Sequence, residues 1–240
     1  MKKIFHFLIL TLLTPVFVCA QDAVGSKLLD NLKTELADIS SKKVEIHDIV
    51  FNSDGHWLVL YGDIGYSYSY IPTPLENMLV KLNSEGTSIN KAVMLNDTSW
   101  ALVYNDNQYT SQSLPSLLST DIASAQRKQK NLKALDVSGD KHLIVYGSNG
   151  FIAKGLPQRM VQKLAQLNRK RVPIRESSLC GNQGWVLLYG RNGLAFQNVP
   201  DDLARLLNKF GKNGTTVNLV RFFGSKWVVV YDGYKVESNI

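Results

Sequence analysis

The sequence predicts an α/β protein in which five β-β-β-α repeats of about 43 residues close into a ring with pseudo-fivefold symmetry. Two observations support this fold class. An aromatic anchor recurs at intervals of 42 or 43 residues, and the helix that the fifth repeat lacks is found at the start of the chain. The expected units are roughly 44–86, 87–131, 132–171, 172–214 and 215–240, with a helix at 24–40 completing the last one.

The anchor is a tryptophan in four repeats and a histidine in the third. The five anchors are Trp57, Trp100, His142, Trp185 and Trp227. A tyrosine follows every anchor by four residues, a proline follows the first four by fifteen, and an isoleucine precedes three of them by eleven. Agreement in four separate columns indicates a true repeat. Because the anchors recur in every unit, we expect them to form shared core rather than a binding site.

Each repeat begins with three predicted strands. In unit one the first strand is residues 45–51, and the second is the apolar run 57–61, which is typical of a strand buried on both faces. The pairs Asn149-Gly150 and Asn192-Gly193 then predict tight turns, because both residues tolerate the positive φ that such turns require. A more polar third strand follows, for example residues 151–154.

A helix follows the third strand of each complete unit. A proline suits its start, and apolar residues three, seven and ten positions after Pro72, Pro157 and Pro200 form a stripe that can pack on a sheet. The fifth unit ends at Ile240, where its helix should begin. The same offsets, counted back from the first anchor, fall on Leu32, Leu36 and Ile39. We therefore expect the N-terminal helix to close the ring, with an open solenoid capped by that helix as the alternative.

In unit count and topology this arrangement resembles the fivefold α/β propeller that includes the amidine-modifying pentein enzymes. The resemblance covers residues 21–240 as a single propeller-like domain. It implies a hydrolase or amidine-modifying enzyme that uses Cys180 or a histidine in the central mouth of the ring. No pentein catalytic motif matches residue by residue, so the resemblance assigns no catalytic residue.

The first twenty residues predict a signal peptide. Lys2 and Lys3 precede an apolar run, and small residues before and at Ala20 predict cleavage after that residue. An uncleaved anchor and a lipid-modified Cys19 are the alternatives. No later segment has about 18 uncharged apolar residues, so we expect a soluble, secreted or periplasmic monomer with no transmembrane segment. Cleavage leaves Cys180 as the one cysteine, which excludes an internal disulfide.

The composition, with 45% hydrophobic and 20% charged residues and a net charge of +7, is that of a globular protein. The charge is unevenly distributed, because residues 127–175 carry 12 basic and 2 acidic side chains. We expect this basic sector to contact an anionic polymer, an acidic protein or a glycan, with a solvated helix face as the alternative. Its members include Arg127, Lys128, Lys130, Lys133, Lys163, Arg169, Lys170 and Arg171. The last three are the predicted contact patch.

A second candidate surface is the third strand of unit one. Alternation places Tyr66, Tyr68 and Tyr70 on one face of that strand, and the repeat does not demand the last two. Rigid tyrosine rings beside small serines suit recognition of sugars or peptides. The alternative is that these rings pack under the neighbouring helix.

The sequence contains no metal-ligand spacing, no phosphate-binding glycine loop and no recognised hydrolase motif. Nucleic-acid motifs are also absent. We therefore expect no cofactor, no metal site and no catalytic residues, and we interpret Cys180 as a buried, inert thiol. The resulting hypothesis is a secreted or periplasmic, non-enzymatic binding protein built on a repeat scaffold. An inhibitor or envelope-assembly partner that uses the charged surface is a further alternative.

Overall fold

The computed structural model describes residues 19–105, 107–128, 131–181 and 183–240. The predicted signal peptide lies almost entirely outside these ranges, as does Lys130 of the basic sector. No helix within the described ranges combines the length and apolar character needed to cross a membrane.

The described residues form five three-stranded antiparallel sheets, each with its second strand in the middle, and the first four sheets are each followed by a helix. This α/β arrangement of five β-β-β units confirms the predicted element order. The elements are α1 (Cys19–Ser41), β1 (Ile46–Phe51), β2 (Trp57–Tyr61), β3 (Gly65–Tyr68), α2 (Thr73–Ser84), β4 (Ile89–Met94), β5 (Trp100–Tyr104), β6 (Gln108–Gln112), α3 (Ser116–Arg127), β7 (Leu132–Ser138), β8 (Lys141–Tyr146), β9 (Gly150–Lys154), α4 (Gln158–Arg169), β10 (Ile174–Cys180), β11 (Gly184–Tyr189), β12 (Gly193–Gln197), α5 (Asp201–Asn213), β13 (Val217–Phe223), β14 (Lys226–Tyr231) and β15 (Lys235–Ser238).

The first strand of every sheet, which we call the inner strand, has the same irregularity. Its pairing with the middle strand shifts register around its second residue. Such a bulge bends the strand and re-aims the side chains beside it. The bulged residues are His47, Asn90, Lys133, Arg175 and Asn218. All five are polar, and a charged side chain of the candidate site described below follows each of them by one or three residues.

The four proline-led helices begin one residue later than the sequence predicts. Pro72, Pro115, Pro157 and Pro200 are N-cap residues in an extended conformation, and their carbonyl oxygens accept the first helical hydrogen bonds. The predicted apolar stripes are buried; in α2, for example, Leu75, Leu79 and Leu82 all face the core. Helix α1 starts earlier than the predicted residue 24, since its first residues include good helix formers.

Each helix packs between two sheets rather than on one. Helix α2 contacts the sheets of units one and two, and α3, α4 and α5 fill the next three gaps in the same way. Helix α1 occupies the gap between the sheets of units five and one. Its buried residues include the three that the repeat offsets predicted: Leu32, Leu36 and Ile39. Each of the five apolar clusters therefore consists of one helix packed between two sheets.

The inner strands are neighbours in chain order. Strand β1 lies beside β4, β4 beside β7, β7 beside β10 and β10 beside β13, and β13 also contacts β1. Arg221 Nε in β13 donates to the carbonyl of Ile49 in β1. The amide of Ile46 in β1 also donates to the carbonyl of Gly233, which lies in the turn between β14 and β15. The charged side chains described below come from these inner strands.

Three of the five anchors form a hydrogen bond to a helix. All four tryptophans are buried, as expected of core residues. Trp57 Nε1 donates to the carbonyl of Leu28 in α1, and Trp227 Nε1 lies 3.1 Å from an oxygen of Asp202 in α5. His142 fills the same role in unit three, since its Nε2 lies 2.9 Å from Asp121 Oδ2 in α3. The histidine is therefore a hydrogen-bonded core residue.

Candidate functional site

A cluster of five charged side chains lies between the inner strands, where apolar packing would be expected. Three carboxylates and two cations come from five different strands, with one from each unit: Asp48, Lys91, Asp136, Glu176 and Arg221. We call this set the central charge cluster. The carboxylates outnumber the cations by one, so the cluster carries one uncompensated negative charge when all its members are ionised.

Arg221 holds the cluster together. Its Nη2 donates to Asp48 Oδ1 at 2.7 Å and to Glu176 Oε1 at 3.3 Å. Nη1 reaches the carbonyls of Ser177 at 3.0 Å and Val220 at 2.9 Å, and Nε reaches that of Ile49 at 3.1 Å. The guanidinium therefore directs all of its N–H groups at protein acceptors, as a buried arginine must.

The other members are also tied to their surroundings. Lys91 Nζ donates to Glu176 Oε2 and to the carbonyl of His47. Backbone amides also donate to two of the carboxylates. Asp48 accepts from the amides of Ile49 and Ala92, and Glu176 accepts from the amide of Ser177. Both oxygens of each of these two carboxylates therefore have partners.

The cluster shifts the pKa values of its members in opposite directions. Burial opposes ionisation of Glu176, but the charges of Lys91 and Arg221 outweigh it and hold its pKa below the usual range. Burial likewise disfavours the charged form of Arg221, yet Asp48 and Glu176 raise its pKa above normal. Asp136 differs, because burial raises its pKa to about 6 despite the opposing charge of Arg221.

Asp136 borders a cavity at one mouth of the space between the inner strands. This central cavity has a volume of about 460 Å³ and is lined by residues from all five inner strands. Asp136 Oδ2 is shielded from solvent and has no hydrogen-bond partner. Arg221, Ser178 and Cys180 share the wall, which is otherwise mainly apolar and includes Met94.

Cys180, the nucleophile candidate of the pentein resemblance, lines this central cavity. It is partly buried, and burial raises the pKa of its thiol. The described histidines lie elsewhere: His47 contacts the carbonyl of Gly62, His56 packs on Tyr70, and His142 pairs with Asp121. Among the described residues, no histidine lines the central cavity. Asp136 and Cys180 thus line the same cavity, and no described histidine does.

The opposite ends of the same strands carry the second candidate site. Lys133 and Arg175, both bulged residues, line an open groove of about 690 Å³ between units three and four. Arg175 Nε is buried without a hydrogen-bond partner, and burial lowers the pKa of this guanidinium despite the nearby charge of Glu176. Such a donor is suited to an anion that enters the groove.

The predicted contact patch lies beside this groove. Arg169 ends α4, and Lys170 and Arg171 follow it, all three exposed. Reciprocal side-chain bonds between Asn149 and Asn168 tie the end of α4 to the turn that borders the groove. We call the set Lys133, Arg169, Lys170, Arg171 and Arg175 the basic face.

Two other members of the basic sector are engaged with tyrosines. Lys128 Nζ donates to the hydroxyl of Tyr146 at 2.6 Å, and Lys163 lies 4.5 Å from the centre of the Tyr189 ring. Arg127 is the last residue of α3. Lys128 and Lys163 are therefore already in contact with tyrosines of the fold.

The three candidate tyrosines do not act as one surface. Tyr66 and Tyr68 stack with ring centres 6.2 Å apart and pack against the cluster around α2. The hydroxyl of Tyr68 donates to Glu76 in that helix, and this bond raises the pKa of the phenol. Tyr70 lies beyond the end of β3, is 50% exposed and contacts the ring of His56.

Sequence reasoning missed the central charge cluster, although a signal was present. Asp48, Lys91 and Glu176 each follow by two residues one of the isoleucines that align the repeats. In the strand register, Asp136 and Arg221 occupy the position at which units one and two have Val50 and Val93. Other repeats have apolar residues at these aligned positions. A charged residue there is not required by the repeated scaffold, so it indicates a candidate functional position.

The described residues contain no group of three or more histidine, cysteine, aspartate or glutamate side chains that could hold a metal ion. No known protein family matches the sequence, and no curated protein matches it either. Among solved structures, human WBSCR16 matches with a TM-score of 0.38 and 12% identity, over 76% of this chain and 58% of its own.

Two further structures are similar at the same level. The C-terminal domain of gp131 from bacteriophage phiKZ gives a TM-score of 0.38 at 13% identity, over 66% of this chain and 53% of its own. YCF48 bound to D1 peptide gives 0.32 at 7% identity, over 81% and 63%. This chain thus spans between half and two thirds of the length of all three structures. Similarity this distant identifies neither a family nor a function.

Proposed function

We propose that this protein is an exported, non-enzymatic binding module that holds an anionic polymer on its basic face. The observation that carries the proposal is the groove between units three and four, where Arg175 Nε is buried without a partner beside Lys133. Arg169, Lys170 and Arg171 extend this positive surface past the groove. A surface with five cationic side chains suits a chain of charges better than one small anion, because several cations can then be engaged together.

The proposal includes closure of the five units into a ring. Three contacts support closure: α1 packs between the sheets of units five and one, β13 lies beside β1, and Arg221 donates to the carbonyl of Ile49. In a closed ring the five units form one rigid support. The basic face is then held in a fixed arrangement, which lowers the entropy that binding must overcome.

Dextran sulfate is a suitable probe, with uncharged dextran as its control. We expect the sulfated chain to bind and the uncharged chain not to bind, with affinity that falls as salt screens the charges. Changing Arg169, Lys170 and Arg171 together to Glu should weaken binding by about tenfold or more, since three favourable charge contacts become repulsive. Titration calorimetry at two salt concentrations measures both effects.

A matched triple variant separates a defined site from general attraction. Lys33, Lys42 and Lys81 are basic residues outside the basic sector, and changing all three to Glu alters the net charge by the same amount. This variant should retain most of the affinity. Equal weakening in both triple variants would show that net charge alone drives the interaction, and it would overturn the proposed site.

The enzymatic alternative depends on Cys180, because this thiol shares the central cavity with Asp136. A buried thiol with a raised pKa holds little thiolate at neutral pH, so we expect iodoacetamide to label Cys180 more slowly than free cysteine at pH 7. The rate should rise with pH, and should reach its plateau at a higher pH than the rate of free cysteine does. A Cys180→Ser protein provides the background from Cys19. Labelling faster than free cysteine at pH 7 would instead favour a nucleophile and the hydrolase or amidine-modifying hypothesis.

A further inference from the structure

The central cavity offers a second site, separate from the basic face and independent of the function proposed for it. We propose that this cavity binds a small organic cation, with a protonated amine held by Asp136 and a hydrocarbon body lying against the apolar wall. Asp136 contributes the one carboxylate oxygen of the central charge cluster that is buried at the cavity without a partner.

The hydrogen bonds of the cluster exclude the opposite assignment, an anionic ligand held by Arg221. Every N–H group of that guanidinium is directed at an oxygen of the protein, including carbonyls of Ile49, Ser177 and Val220. Ser178 Oγ is likewise committed, because it donates to the carbonyl of Val220 and accepts from Arg221. The cavity therefore presents an incoming anion with no free charged donor from the cluster.

The charge balance points to a cation. Asp48 and Glu176 are neutralised by Arg221 and Lys91, with distances of 2.7 Å for the Arg221–Asp48 pair and 3.3 Å for Arg221–Glu176. Asp136 remains as the third carboxylate without a cation of its own. An uncompensated buried carboxylate is unfavourable unless a donor approaches it, and a ligand ammonium group supplies both the charge and the hydrogen bond.

The wall of the cavity defines the rest of the ligand. Val50, Val93, Met94, Leu135 and Phe222 surround the polar floor. A cavity of about 460 Å³ is within the size range of small-molecule sites, which combine mostly apolar walls with a few placed polar groups. The chemistry is therefore that of an amine with an aliphatic or aromatic body, not that of an inorganic cation.

Binding should depend on the ionisation of Asp136. Arg221, Glu176 and Asp48 all act on this carboxyl group, and with burial they place its pKa at about 6. Cys180, on the neighbouring strand, has a raised pKa and is neutral in the same range. The amine stays protonated throughout, so affinity should fall as the pH decreases below 6 and Asp136 becomes neutral.

Hexylamine, hexan-1-ol and hexanoate form a matched set of probes for calorimetry on the full chain at pH 7.5. We expect hexylamine to bind with a Kd of roughly millimolar or tighter, given the affinity available to so few atoms. The alcohol and the carboxylate should bind at least about tenfold more weakly, because neither pairs with a carboxylate as an ammonium does. Bound hexylamine should also slow the alkylation of Cys180. Equal affinity for the alcohol, or no binding of the amine at 10 mM, would overturn the proposal.

Asp136→Val is the decisive variant, because valine is the residue at the equivalent position of units one and two. The affinity of this variant for hexylamine should be lower by about tenfold or more, and hexylamine should no longer slow the alkylation of Cys180. Asp140→Asn, a change of the exposed acid in the next turn, should keep both properties. Hexylamine binding that survives Asp136→Val would exclude the proposed site.

The same variant has a readout that confirms its fold. A carboxyl group whose pKa is raised on folding holds more protons in the folded state between about pH 4 and 6, so it lowers stability as the pH rises through that window. Asp136→Val should therefore raise Tm by about 2–8 °C at pH 8 and by less at pH 4. A more stable protein that no longer binds the amine separates loss of the site from loss of the fold.

Discussion

Replacing Arg221 with methionine should lower the free energy of unfolding by about 3–5 kcal/mol at pH 8. Methionine keeps much of the volume of the side chain, so the loss measures charge and hydrogen bonding rather than a cavity. Without the guanidinium, Asp48, Glu176 and Asp136 share one remaining cation, Lys91. Denaturant unfolding followed by tryptophan fluorescence gives the measurement, because four buried tryptophans report on the core.

The pH dependence of this loss identifies its cause. In the parent protein the pKa of Glu176 is lower in the folded state than in the unfolded state. Glu176 therefore stabilises the fold above its unfolded pKa, and this stabilisation is lost as the pH falls through its folded pKa. In the Arg221→Met protein the uncompensated carboxylates take up protons more readily. The difference between the two proteins should therefore shrink from pH 8 to pH 5.

Two further variants control for this interpretation. Arg191→Met replaces an exposed arginine and should change stability by less than about 0.5 kcal/mol. Adding Asp48→Asn to Arg221→Met removes one of the uncompensated carboxylates and should restore part of the loss. If Arg221→Met costs less than about 1 kcal/mol, then the cluster is not the electrostatic centre that its hydrogen bonds indicate.

The scaffold could be predicted because its signal is repeated along the chain. Anchors such as Trp57 and Trp185 occur at one spacing in the sequence and at one place in the structure, the start of a middle strand. The same counting placed Leu32 and Leu36 at buried positions of α1. Because the pattern is repeated, the assignment of an element does not depend on any single ambiguous residue. The order of the elements and the buried apolar stripes of the helices therefore followed from the sequence alone.

The candidate sites were less predictable, because they depend on what lies opposite each strand. Tyr66 and Tyr68 alternate as a recognition surface would, but α2 of the same unit packs on them. The central charge cluster joins side chains separated by up to 173 residues, such as Arg221 and Asp48. Their proximity follows from five inner strands meeting, which no local pattern encodes. The exposure of Arg169 to Arg171 was the easier inference, because these residues end a helix whose buried stripe was already identified.

Removing residues 21–43 should abolish cooperative thermal unfolding, since α1 fills the gap between the sheets of units five and one. Three of its buried side chains, Leu32, Leu36 and Ile39, pack between two sheets. Their burial contributes roughly 5–9 kcal/mol, which is comparable to the total stability of an ordinary domain. Circular dichroism of the truncated chain measures the result. Cooperative melting at an unchanged temperature would contradict both the role of α1 and closure of the ring.

Single substitutions test the same contact in a protein that still folds. Leu36→Ala should cost about 2–5 kcal/mol, because it opens a space between the sheets of units five and one. Lys33→Ala on the exposed face of the same helix should cost less than about 0.5 kcal/mol. Equal effects of the two changes would show that α1 contributes by helix formation alone and not by filling the gap between the sheets.

A circular permutant tests closure directly. Ile240 lies thirteen residues after the anchor of its unit, as Tyr70 does in unit one, so the repeat places the start of a helix three residues further on. A chain that runs from Val44 to Ile240 and continues directly with residues 28–43 therefore gives unit five its helix in the usual order. If the units form a ring, this permutant should fold and melt cooperatively. In an open solenoid, moving the helix to the other end would leave the first sheet uncovered, and the permutant would be unfolded or aggregated.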